Sequence, residues 1–193
     1  DGVMTLNIEV LERLLDLTGP IELKDYDLTL DAKNFRDEIQ YEVEIAYDKK
    51  LNRPKKVLAD FTPIFIEKLL AVSKEKNKEL AEIFIKMLEE KYIMFYFTDE
   101  RLQKFFSGQG WSGEIHETST DFLSVVHSNI GGYKTDKHME DSVNYNAEIK
   151  DDGSMIGNLV IKRKHNVGDS KYWWYNRKNI DYVKIYAPKG AEI

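Results

Sequence analysis

Between Asp48 and Leu58 the chain concentrates positive charge. Lys49, Lys50, Arg53, Lys55 and Lys56 place five cations within eight residues, in a sequence whose net charge is −6. Pro54 suits the first turn of a helix, and a helix start leaves backbone N–H groups free. Cations beside free N–H groups can hold a phosphate or pyrophosphate. Lys49, Lys50, Arg53 and Lys56 are therefore the candidate contacts. The plainer alternative is a solvated basic loop, the usual fate of surface charge.

Two further groupings have the residue types for chemistry. Asp136, His138 and Glu140 stand at i, i+2 and i+4, positions that share one face of a strand, with His127 a short distance upstream. A histidine with two carboxylates can bind a divalent metal or transfer protons. No HExxH pattern supports it, and a polar strand rim is the plainer reading. Trp173, Trp174 and Tyr175, in the run Tyr172–Tyr175, could stack on sugar rings, as could Trp111. Aromatic residues in strands and loops more often fill a core. Gly131-Gly132 lacks GxGxxG and Walker spacing and reads as a tight turn. Ser124 and Ser128 lack a GxSxG setting. His116 and His165 read as loop residues.

The elements that must position these residues follow from periodicity. Gly2–Leu6 reads as a strand, and Asn7 as the cap of an amphipathic helix carrying Val10, Leu11, Leu14, Leu15 and Leu17. Gly19-Pro20 ends it. Short strands at Ile21–Leu23 and Leu28–Leu30 flank a turn at Asp25-Tyr26-Asp27. Asp31 caps a helix reaching about Tyr47, with Phe35, Ile39, Val43 and Ala46 on one stripe. A helix with Val57, Phe61 and Phe65 follows Pro54, and Thr62-Pro63 is expected to kink or restart it. Asn77 is read as the cap of the next helix. Tyr92–Phe97 is expected to be a strand covered on both faces, and Thr98 the cap of a short helix. After Asp121 strand patterns dominate. Val143, Tyr145, Ala147 and Ile149 alternate, Asp151-Asp152-Gly153-Ser154 signals a hairpin, and Tyr182–Tyr186 is a last strand. The expected class is α+β: an α/β-like half over residues 1–120, with helices on a small mixed sheet, then a β-rich, sandwich-like half over 121–193. Both halves could form one continuous domain.

The composition narrows the function classes. A net charge of −6 argues against nucleic acid as a partner, since phosphate neutralisation needs a basic footprint. No run reaches the ~18 apolar residues of a membrane span. The absence of cysteine excludes disulfides, thiolate metal sites and cysteine nucleophiles, and fits a secreted bacterial protein. The chain opens on Asp1 and runs at once into Val3, Met4 and Leu6, as expected of a piece of a longer protein.

The pieces GVMTLNIEVLERLLDLTGPIEL, LTLDAKNFRDEIQYEVE, YDKKLNRPKKVLADF, DFLSVVHSNIGGYKTD, SVNYNAEI and YVKIYAPKGAEI, in that order, resemble a bacterial family numbered four thousand and twelve among the domains of unknown function. The resemblance implies an extracytoplasmic location at the bacterial cell surface, in a protein anchored to the membrane through a segment upstream. The implied partners are a cell-envelope polymer or an envelope protein. The first ~70 residues are also distantly similar to the LytR-CpsA-Psr family; a stretch of that size matches a βαβ-type unit. Those enzymes transfer glycopolymers from a polyprenyl-pyrophosphate lipid with arginines and magnesium. Their motif, an Asp and then Arg-x-x-Arg-Gln, falls here on Asp48, Arg53, Lys56 and Val57. One arginine is kept, the second is lysine, and the glutamine is lost. Lysine cannot form the two-pronged contact that arginine makes with phosphate. The leading expectation is thus a non-catalytic binding or scaffolding module with no cofactor. The alternatives are a glycopolymer phosphotransferase or its pyrophosphate-binding relic, with magnesium, and a carbohydrate-binding module.

Overall fold

The computed structural model describes residues 1–115 and 121–192; His116 lies outside the described residues. The chain divides into two compact units, Asp1–Ile115 and His116–Ile193. The class is α+β.

In the first unit β1 (Gly2–Leu6) pairs antiparallel with β4 (Ile93–Phe97), Gly2 opposite Phe97 and Leu6 opposite Ile93. The sheet therefore joins the two ends of a long helical excursion. Asn7 caps α1 (Ile8–Thr18) by accepting the Glu9 N–H, and Gly19, at φ 76°, ends it. The ribbon β2 (Ile21–Leu23) with β3 (Leu28–Leu30) turns through a 3-10 segment, Lys24–Tyr26, and a left-handed Asp27. Asp31 Oδ1 accepts the N–H groups of Lys33 and Asn34, which opens α2 (Phe35–Tyr41). α3 spans Lys56–Glu75, α4 Asn77–Glu89 and α5 Glu100–Gly108.

One hydrocarbon core joins α1, the β2–β3 ribbon, α2, α3, α4 and β4. Leu14 and Leu15 of α1, Ile21 and Leu30 of the ribbon, Phe35 and Ile39 of α2, Val57, Phe61 and Phe65 of α3, and Met87 of α4 are all buried in it. Phe61 lies 5.1 Å from Phe35 and 5.4 Å from Phe65, ring centre to ring centre. Arg36 binds Glu12 at 3.0 Å and Glu9 at 3.1 Å, fastening α2 to α1.

Several expectations change in detail. The helix from Asp31 does not run regularly to Tyr47. It widens into a π turn at Glu42–Ala46, where Tyr47 N–H reaches back five residues to the Glu42 carbonyl. Pro63 neither restarts nor divides α3, which is one helix. Phe61 and Phe65 on either side are anchored in the same core, while Thr62 and Pro63 are exposed, so the carbonyl that Pro63 cannot pair lies on the solvent side of the helix. Asn77 is helical and makes no capping bond, and Asp99 rather than Thr98 caps α5, accepting from Arg101 and Leu102. β4 is not covered on both faces: Ile93 is buried but Tyr96 is 55% exposed. Among the described residues β4 pairs with β1 alone, so it belongs to a two-stranded ribbon and not to the middle of a larger sheet.

The second unit is built of ribbons. β5 (Ser124–Asn129) pairs antiparallel with β8 (Asp181–Tyr186), and β6 (Met139–Ile149) with β7 (Met155–His165). All pairing among the described residues is antiparallel and two-stranded, in place of the mixed sheet expected. The β6–β7 turn has Gly153 at φ 81°, and Asp152 Oδ1 accepts the Ser154 N–H and hydroxyl. At Gly132 a Cβ would sit 2.8 Å from Asn179 Cα and from Thr135 Oγ1, and 2.9 Å from Ile180 N. Two backbone segments meet there at a distance only glycine permits.

Gly132→Ala should accordingly destabilise the second unit by about 1–3 kcal/mol, the cost of forcing atoms into a packed site. Gly153→Ala should cost about 1–2 kcal/mol, from its left-handed backbone alone, because nothing lies within 4 Å of that site. Urea unfolding of the two variants checks the order.

Candidate functional site

The basic run of the sequence forms one wall of a cleft in the first unit. The cleft has a volume of about 570 Å3. Its walls are the β2–β3 turn (Lys24, Asp25, Tyr26, Asp27), the π turn with Tyr47, and the start of α3 with its preceding loop (Leu51, Arg53, Pro54, Lys56, Val57). Asp48 shapes this loop: its Oδ1 accepts the N–H groups of Lys50 at 2.7 Å and Leu51 at 3.3 Å. Asn52 follows in a left-handed conformation, φ 47°. The resulting turn aims Arg53 at the cleft and leaves Lys49 and Lys50 outside its lining.

The cations do not stand alike. Lys56 Nζ is bound to Asp60, one helical turn along α3, and lies 3.4 Å from the Tyr26 hydroxyl, which itself donates to Asp60 at 2.6 Å. The hydrogen bond from Lys56, then that from Tyr26, hold the Asp60 carboxyl below its usual range. Burial, then the bond to Asp60, push the Tyr26 hydroxyl up. The charge of Lys56 is thereby shared with Asp60. Arg53 has no side-chain hydrogen bond or ion pair among the described residues. Asp25, Asp27, Glu42 and Asp48 set four carboxylates against the three cations Lys24, Arg53 and Lys56 in the lining. Burial, then repulsion from Glu38, raises the Glu42 carboxyl. Among the described residues no three carboxylate or imidazole groups converge on a metal-sized site.

The metal candidates are dispersed. Asp136 and His138 lie in a 3-10 turn, Thr135–His138, not on a strand, while Glu140 is in β6. Alternation therefore cannot align them. Asp136 accepts from Asn179 at 2.8 Å, the His138 ring packs edge-on to Tyr175 at 4.6 Å, and Glu140 accepts from Asn166 at 2.6 Å. The sugar-stacking set is split as well. Trp174, 1% exposed, and Tyr175 are buried with Tyr172 as a core, so neither can meet a sugar. Trp173 is 44% exposed. Trp111 packs against Phe105 and Phe106.

No protein-family model, curated protein or solved structure matches the chain.

Sequence reasoning missed one polar cluster. Asp181, at the start of β8, faces His127 of β5: Nδ1 lies 2.7 Å from Oδ2. Arg163 of β7 binds the same Asp181 oxygen, stands 2.9 Å from His127 Nδ1, and reaches Asp141 at 2.8 Å and Asp136 at 3.7 Å. Nδ1 serves one partner at a time. Protonated, it donates to Asp181; unprotonated, it accepts from Arg163. Asp181 is 10% exposed. Burial opposes its ionisation, but the bonds from His127 and Arg163 outweigh it and hold the carboxyl below its usual range. The only sequence signal was Asp181 two residues out of register with His127 on paired strands, invisible before the pairing is known.

A depressed folded-state pKa stabilises above the unfolded value, about 4, and that contribution is lost as pH falls through the folded value. Acid titration of the second unit's tertiary signal should therefore show a loss below about pH 4. Asp181→Asn should weaken that dependence and cost about 1–2 kcal/mol at neutral pH, through a partly buried guanidinium that loses one of its carboxylates. Circular dichroism in the aromatic range against pH tests both.

Proposed function

We propose that the chain is a non-catalytic binding or scaffolding module of a membrane-anchored, extracytoplasmic bacterial envelope protein, in keeping with the family it resembles. Its ligand seat is the cleft of the first unit. The observation that carries this reading is Arg53: a guanidinium free of ion pairs among the described residues, in a cleft also walled by Tyr26, Tyr47, Leu51 and Val57. Such a cleft suits one anionic group on a partly apolar body, as an envelope polymer or its lipid-linked precursor presents. Val3, Met4 and Leu6 of β1, each more than half exposed, suit the scaffolding side of the same role.

A LytR-CpsA-Psr-like glycopolymer phosphotransferase, or a pyrophosphate-lipid-binding relic of one, is the second reading. It is favoured by the meeting of Asp48, Arg53 and Lys56 on one cleft. It ranks below because Lys56 is spent on Asp60 and because the lining carboxylates outnumber the cations. A pyrophosphate concentrates charge that this lining cannot offset. A carbohydrate-binding role retains Trp173 alone of its three candidates.

Thermal unfolding with a polyprenyl pyrophosphate analogue and, separately, a polyprenyl monophosphate is the test, each with and without magnesium. A ligand at roughly 100 times its Kd adds about 2.7 kcal/mol of stability. The expected result is a magnesium-independent shift with the monophosphate that Arg53→Ala removes and Lys56→Ala leaves in place. A shift confined to pyrophosphate with magnesium, and lost in both variants, would promote the phosphotransferase reading. No shift with either lipid would remove the cleft as their seat.

A further inference from the structure

The turn after β5 and the segment before β8 meet at one tip of the second unit. Ile130 N–H donates to the Ile180 carbonyl at 2.9 Å, and the Ile180 side chain closes over Gly131, where a Cβ would stand 3.3 Å from Cδ1. The Tyr133 ring meets Trp173 edge-on, centres 5.2 Å apart. The Arg177 guanidinium lies 5.2 Å from the Trp173 ring centre and 6.0 Å from that of Tyr133. Ile130, Tyr133, Trp173 and Ile180 are all exposed, Tyr133 by 59%. Four large apolar side chains thus share a small tip that faces water.

This tip is held in place. Asn129 Oδ1 accepts the N–H groups of Gly131 and Gly132, and its Nδ2 donates to the Tyr133 carbonyl. Tyr133 is left-handed, φ 53°, a conformation rare for an aromatic residue and kept only where surroundings impose it. The rim is basic. Lys134, Arg177 and Lys178 are exposed, whereas Asp136, the closest acid in sequence to Tyr133, is engaged by Asn179 at 2.8 Å and Arg163 at 3.7 Å. Three cations rim an apolar tip on a chain of net charge −6.

We propose that this tip docks onto a lipid bilayer surface rich in anionic headgroups. Trp173 and Tyr133 sit at the headgroup level, where rings with an apolar body and a polar edge are favoured. Ile130 and Ile180 reach the acyl boundary, and Lys134, Arg177 and Lys178 meet the lipid phosphates. A sugar platform fits less well: the Tyr133 and Trp173 planes cross at 75°, and Arg177 already lies against the Trp173 ring. The docking surface is independent of the cleft around Arg53.

Sedimentation of the 193-residue chain with vesicles tests this. The chain should pellet with equimolar phosphatidylglycerol and phosphatidylcholine and stay in solution with phosphatidylcholine alone. Arg177→Ala and Lys178→Ala should each weaken pelleting roughly five-fold, the factor for one cation near an anionic surface, and Arg53→Ala should not. Brominated acyl chains should quench the tryptophan fluorescence of the wild type. Trp173→Phe should keep pelleting while losing that quenching, which separates a misfolded variant from a displaced ring. Equal pelleting on both vesicle types would overturn the proposal, as would quenching that survives Trp173→Phe. So would a chain that ignores anionic vesicles but binds soluble dextran sulfate, which would make the tip a polyanion site.

Discussion

A two-stranded β-ribbon is marginal in water on its own, and all four ribbons described in this chain are two-stranded. Each unit covers part of its ribbons and leaves part in water, as β1 and most of β6 show. In the first unit the cover is hydrocarbon. Ile21 and Leu30 present one face of the β2–β3 ribbon to the core, and α3 meets it with Phe61 and Phe65. That docking fixes both the ribbon's turn and the first residues of α3, and the cleft is the space left between them. The second unit has no helix beyond one 3-10 turn among its described residues. Its buried cluster is Tyr172, Trp174 and Tyr175, with Val167 against it. The tie between its two ribbons is polar: Arg163 on one, His127 and Asp181 on the other.

Arg163 shows why such a tie specifies more than it stabilises. A guanidinium taken out of water loses hydration that its partners must replace, and buried ion pairs often only break even. Here the one cation faces Asp136, Asp141 and Asp181. Without it three carboxylates would lose the cation they share. The same reasoning distinguishes the cations of the first unit. Asp60 and Tyr26 take up the charge of Lys56, and Arg53 is left to define what the cleft can hold.

Much of the fold was legible in the residues, because the deciding signals were local. Asn7, Gly19, Gly153 and the alternation from Val143 to Ile149 act within a few positions of themselves. Capping and turn chemistry of that kind needs no knowledge of the remainder of the chain. Misreadings arose where a distant partner decided. YIMFYF looks buried on both faces until its single partner strand is known, and Asp136, His138 and Glu140 look aligned until a 3-10 turn rotates two of them. Trp173 and Trp174 differ by one position and by 44% against 1% exposure, which composition cannot foresee. Arg53 was legible as a cation at a helix start. The binding of Lys56 by Asp60 was foreseeable as an i, i+4 pair, whereas the contribution of Tyr26 was not.

The distribution of charge matters more than its total. A chain of net charge −6 is repelled by an anionic surface at long range, but screening at physiological salt confines that repulsion to about 8 Å. Within that distance the local sign decides, and Lys134, Arg177 and Lys178 surround the one tip where Ile130, Tyr133, Trp173 and Ile180 stand together in water. The lining of the cleft has the opposite balance, four carboxylates to three cations, which opposes polyanions. In the two proposed roles an extended anionic surface and a singly charged ligand would be read by different residues, one set in each unit.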